Sequence, residues 1–295
     1  MISLKLLVSA MVFLIVLCFT SVNAHESFVR PISGWAEVGD TAILPIGSGH
    51  TTESSELPLG LAYIKVISQS GHVLNHTLSQ KTTTNGYWMI YDFDVDGPGL
   101  NIIDLYHTEG SWTHFITNPP AGGFWEHKSA EEINWTELDT TTWADDWYVE
   151  KSYPKHCYAK AFVAGPESDF SLASRAIGQK LEIVPLDNIT TVGQGEFSLQ
   201  VLFDDEPYKN VTVTAQRVGD DTELQATTDS EGKVRFNLSG PSEVIEWLIK
   251  TNTGMDPQVV ELVDLPRGKD SKEKSYVGPV YRTILALRND YIKAE

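Results

Sequence analysis

The sequence predicts an all-β protein, an N-terminal β-sandwich-like domain followed by an immunoglobulin-like (transthyretin-like) β-sandwich domain. Three observations predict it. Beyond an apolar leader, no stretch carries a convincing 3.6-residue apolar period. Short runs rich in Val, Ile, Thr, Tyr and Phe recur instead, several alternating apolar with polar residues. Gly, Pro, Asn and Asp punctuate these runs, and after Tyr158 they do so at the spacing of an immunoglobulin-like sandwich.

The leader comes first. Met1 to Lys5 is short and charged, and Leu6 to Phe19 is almost unbroken apolar sequence, the pattern of a signal peptide. Val22 and Ala24 occupy the small-residue positions of a cleavage site, so residues 1–24 are expected to be removed and His25 to become the N-terminus. No second apolar run follows, so no membrane span is expected in the mature chain, whose place is secreted or periplasmic, on the extracellular side of the cell envelope. What remains is long enough for two domains, at 25–176 and 177–295.

In the first domain the candidate strands are Trp35 to Pro45, Leu61 to Ile67, Tyr87 to Phe93, Leu100 to Tyr106 and Trp112 to Thr117. Thr108 to Thr113 reads as the turn of a hairpin. Asn118 to Trp147 breaks the pattern with Pro-Pro-Ala-Gly-Gly, many acids and Trp125, Trp135, Trp143 and Trp147; it reads as a long flap in which Ala130 to Ile133 starts a short helix. In the second domain strands are expected at Tyr158 to Val163 leading in, then Leu181 to Pro185, Phe197 to Phe203, Val211 to Arg217, Leu224 to Thr228, Val234 to Leu238, Val244 to Thr251 and Tyr281 to Leu287. Gly232 supplies the positive φ that the turn after Asp229 needs.

The formal charge of −18 argues against nucleic-acid partners. Cys157 is the lone cysteine after the leader, so no intramolecular disulfide is expected. Asn75, Asn134, Asn188, Asn210 and Asn237 head Asn-x-Ser/Thr sequons, glycosylation candidates in an exported glycoprotein. No zinc-protease, nucleophile-elbow or phosphate-loop motif occurs, so no catalytic residue is assigned.

Histidine carries the strongest chemical signal. All eight histidines lie at or before His156, which confines metal chemistry to the first domain. As an N-terminus, His25 offers an α-amine and an imidazole that can chelate one ion. His50 follows Gly47-Ser-Gly49, a loop a metal can approach closely, with Glu53 and Glu56 nearby to orient it. His107 and His114 flank the expected turn and would meet on paired strands. Nitrogen donors of this kind suit nickel, cobalt, copper and zinc.

The opening Ala24-His-Glu-Ser-Phe-Val-Arg-Pro31, the Gly49-His50 loop, Tyr158 to Val163, Ile177 to Asn188, Gly195 to Phe203 and Thr228 to Lys233 together resemble the DUF4198 family, periplasmic or extracellular components of nickel and cobalt uptake systems. That resemblance implies a non-enzymatic protein that captures nickel or cobalt for a permease on a separate chain, with His25 and His50 as ligands. His107 and His114 enter the metal site on spacing alone. Two other readings are a copper carrier or oxidative enzyme built on the N-terminal histidine, and a cell-surface adhesion or carbohydrate-binding module using the tryptophans as a platform.

Overall fold

The computed structural model describes residues 26–49, 52–55, 57–58, 60–75, 81–82, 87–118, 122–240, 243–254 and 256–293. The expected signal peptide, His25, His50 and His76 lie outside the described residues.

The architecture is all-β, as the sequence predicts. The strands are β1 (Glu26–Val29), β2 (Thr41–Gly49), β3 (Leu61–Ile67), β4 (Val73–Asn75), β5 (Lys81–Thr82), β6 (Met89–Asp94), β7 (Asn101–Asn118), β8 (Gly122–Glu126) and β9 (Tyr148–Val163). After them come β10 (Leu181–Pro185), β11 (Glu196–Phe203), β12 (Glu206–Pro207), β13 (Thr212–Arg217), β14 (Glu223–Thr227) and β15 (Lys233–Asn237). The chain closes with β16 (Glu246–Asn252), β17 (Glu261–Val263), β18 (Ser275–Val277) and β19 (Val280–Arg288). Among the described residues the helical elements are two short 3-10 turns, Phe170–Ser174 and Ile189–Thr191, and no helix is long and apolar enough to cross a membrane.

Three layers result. The middle one is a large sheet ordered β14-β13-β16-β19-β9-β7-β3-β4, with β8 on β7 and the β17–β18 ladder on β9. Strand alternation gives this sheet two apolar faces. Ile103, Leu105, Ala159, Ala161, Ile284 and Ala286 face the sheet β1-β2-β6-β5 and pack on Phe28, Leu44, Ile46, Tyr91 and Phe93. Ile102, Phe162, Ala215, Trp247, Ile249, Leu285 and Leu287 share the opposite core with Leu181, Ile183, Phe197, Leu199 and Phe236 from β10, β11 and β15. A cut at 176/177 passes through the hydrogen-bonded pairing of β9 with β19, which are parallel from Val280↔Lys155 to Leu285↔Lys160.

The structure corrects three local expectations. Thr108 to Thr113 is not a hairpin turn: β7 runs straight through it, paired with β9 on both sides of an irregularity at Thr108/Ser111. Gly110, at φ 76°, absorbs the irregularity as a bulge, a conformation that favours glycine. Ala130 to Ile133 forms turns, not a helix. The strand expected from Trp35 begins at Thr41, and Trp35 instead makes a single bridge to Ala164.

The tryptophan-rich excursion packs against the far half of β7. Trp135, Trp143 and Trp147 gather with Leu138, Phe124 and Leu265 around buried Phe115, Ile133 and Val149, a third small core. Those tryptophans are packing residues. Trp125 lies on the other face of the sheet.

Candidate functional site

β1 crosses the middle sheet where β7 and β9 pair, and Ser27 bridges the two. Its Oγ lies 2.9 Å from His107 Nδ1, with both residues buried. Its carbonyl oxygen accepts from the Cys157 thiol at 3.5 Å. His107 and Cys157 are direct partners in the β7–β9 ladder, so one serine ties down a histidine and a cysteine side by side. Burial pushes the Cys157 thiol up to about 11, which keeps it protonated near neutral pH. The hydrogen bond at Nδ1 orients the His107 ring against β1.

Gly60 shapes the other side of this histidine. Its φ of 90° and its close approach both demand glycine: a Cβ there would stand 2.2 Å from the Thr108 carbonyl oxygen and 3.5 Å from His107 Nε2. Charged groups flank the position. Glu26 pairs with Lys250 at 2.8 Å and with Arg282 at 3.9 Å, and Lys155 pairs with Glu109 at 2.7 Å. Burial, with Arg282 nearby, holds the Lys155 ammonium below its ordinary pKa.

His114 occupies a different environment. Seven residues at about 3.3 Å each put its Cα roughly 20 Å from that of His107, too far for two imidazoles binding at about 2.1 Å to share one ion. Register explains its partners: His114 pairs with Lys151 and Phe115 with Val149, which leaves Glu150 as an extra residue on β9. The bulge aims Glu150 back at the histidine, where its Oε2 lies 2.8 Å from His114 Nδ1 and 3.1 Å from Lys151 Nζ. The bond from His114, then the neighbouring Lys151, holds the Glu150 carboxyl down at about 2. Trp125 stacks on the His114 ring at 4.3 Å, and Trp112 lies 3.7 Å from the His127 ring.

The structure therefore separates His107 from His114. His107 stands beside the start of β1, while His114 belongs to an ion-paired aromatic cluster. His72 and His127 are exposed, and His156 accepts or donates at 2.7 Å to the Tyr106 hydroxyl and stacks on Tyr281. Among the described residues no group of three His, Cys, Asp or Glu side chains is arranged to hold a metal. Sequence reasoning passed over Ser27, Cys157 and Glu150. Their roles depend on cross-strand register and on a bulge, and the one local clue is that Ser27 follows His25 by two residues.

Among solved structures the chain is similar to the D0-D1 domain of Intimin, at 11% identity and a TM-score of 0.19, with 88% of this chain and 99% of that one covered. A DUF4785 family protein from Legionella pneumophila gives 10% identity and a TM-score of 0.25, over 76% of this chain and 52% of that one. A bacterial ice-binding adhesin gives 9% identity and a TM-score of 0.21, over 90% and 64%. At these scores nothing carries over to this chain. No curated protein matches the sequence. The family model described as "Domain of unknown function (DUF4198)" matches residues 22–252, most of the chain, and the protein belongs to that family.

Proposed function

We propose that this protein binds a divalent transition metal outside the cytoplasm and captures nickel or cobalt for a membrane uptake system carried by a separate chain. The observation that supports it most is the Ser27–His107 contact beside the end of the β1–β2 ladder. The last described rung of that ladder is Glu26↔Gly49. His25 and His50 are each one peptide bond beyond it.

His107 is then the third imidazole of the set, and the His25 amine is the fourth nitrogen. This donor set fits nickel, cobalt or copper by its chemistry. His114 is left out of the site, its Nδ1 being held by Glu150. Because every donor must be deprotonated, affinity falls as pH drops through the ordinary imidazole range near 6.5.

Cys157 favours copper as the second reading, since a thiol directly across from His107 adds a soft donor once deprotonated. Calorimetric titration of a chain beginning at His25 with nickel, cobalt, copper and zinc tests both. Tight one-to-one nickel or cobalt binding, lost when one residue is added before His25 or when His107 becomes Ala, is the expected result. Binding confined to copper selects the second reading, and no binding by any version overturns both.

A further inference from the structure

Away from that site, the interface between the middle sheet and the β10–β11 sheet holds a group of ionisable side chains that the metal reading does not use. Lys160 projects from β9 and Glu182 from β10; Lys160 Nζ lies 2.6 Å from Glu182 Oε1, and each side chain is 1% exposed. Asp104, buried on β7, is the direct partner of Lys160 in the β7–β9 ladder. Apolar Ile102, Phe162, Leu181 and Ile183 line the same core.

The structure assigns these three residues a covalent role: we propose that Lys160 and Glu182 condense to an intramolecular isopeptide bond, with Asp104 as the carboxyl that relays the proton. The neutral Lys160 amine attacks Cδ of the Glu182 carboxyl group. The Nζ–Cδ bond forms, one Cδ–O bond breaks, and the departing oxygen leaves as water, carrying one proton from the carboxyl group and one from the amine. Nothing is oxidised or reduced, and no co-reactant is needed.

Four features of the site fit this step. The reacting groups are already in contact, and an oriented intramolecular pair reaches effective concentrations on the order of 10⁵ M or more. The backbone N–H groups of Ile177, Gly178 and Gln179 all point at the Glu182 carboxyl oxygens, at 3.0 to 3.2 Å, and form a ready cradle for the oxyanion of a tetrahedral intermediate. Gly178 reaches its place in that cradle at φ 84°. Burial disfavours the charged forms, lowering the Lys160 pKa and raising that of Asp104, so the neutral amine and the protonated acid the step needs are both promoted. Gln179 Nε2 donates to Asp104 Oδ1 at 2.8 Å and Lys65 Nζ lies 3.9 Å from its Oδ2, which together anchor the carboxyl beside the Lys160 rung. A buried ion pair is costly to keep dry, and a neutral amide removes both charges at once. The product would staple β9 of the middle sheet to β10 of the outer one, in a chain whose described cysteine is a single free thiol.

The test is peptide mapping of the purified full chain after denaturation and proteolysis. The expected result is a branched peptide joining the Lys160 and Glu182 segments, lighter by one water than the two linear peptides together. It should be absent from Lys160→Met and absent or greatly reduced in Asp104→Asn. Linear peptides carrying a free Lys160 and a free Glu182 from correctly folded wild-type protein would overturn the bond. A fully linked Asp104→Asn protein would overturn the role given to Asp104.

Discussion

Two histidines seven residues apart on β7 show how far a side chain's meaning depends on what the fold sets against it. His107 is 1% exposed and rests on Ser27 Oγ. Ser27→Ala leaves Nδ1 without that hydroxyl in a dry site, and the expected loss is about 1–3 kcal/mol of unfolding free energy in urea titration, together with roughly 10- to 100-fold weaker metal binding by calorimetry. His114 holds a carboxylate instead. Glu150 is depressed from 4.5 to about 2, so its stabilisation is fully present above pH 4.5 and is lost as pH falls toward 2. Thermal midpoints measured across that window should fall in the wild type and change less in Glu150→Gln. The sequence grouped His107 with His114 through a hairpin turn, and that turn is absent because β7 continues through it. Ser27 and Glu150 were not legible, because no local pattern says which residue faces which across a ladder.

At the level of elements, alternation located most strands well. Leu61–Ile67 and Leu181–Pro185 match their expected bounds. β7 did not yield to the same reading, because Glu109-Gly110-Ser111 has the composition of a turn while the long partner β9 lets the strand continue through a bulge. Two glycines separate backbone strain from crowding. Gly110→Ala adds a Cβ that meets nothing within 4 Å, so its cost is the left-handed backbone alone, about 1–2 kcal/mol. Gly60→Ala adds the same strain and a Cβ 2.2 Å from the Thr108 carbonyl oxygen, beside His107. Urea denaturation should rank Gly60→Ala as clearly the more damaging, and only that substitution should also disturb metal binding. Equal losses would show that the approach of Gly60 to β7 does not shape the site.

Across the whole molecule, the two apolar cores lie on opposite faces of one sheet. Packing lost in one exposes strands the other needs, so thermal unfolding should appear as a single transition by both fluorescence and circular dichroism. For the same reason a fragment of residues 25–176 should fail to fold, since it lacks β19 and leaves β9 with a bare edge. A soluble fragment with protected β9 amides in hydrogen exchange would contradict this. Alternation made the β structure legible in the sequence, but not that one sheet carries both cores. It carried no trace of the parallel β9–β19 pairing, because contacts between segments so distant along the chain leave no local periodicity.

That pairing also orders events in time. β19, the last strand described, lies inside the middle sheet between β9 and β16. During synthesis every neighbour is therefore made before the strand that joins them, and the β9–β19 rungs that close the sheet, such as Val280↔Lys155, are long-range contacts of the kind that slows folding. Until that strand emerges, two apolar edges stand open to aggregation and to chaperones. The emergence of β19, rather than the closing of any hairpin, is what completes the middle sheet.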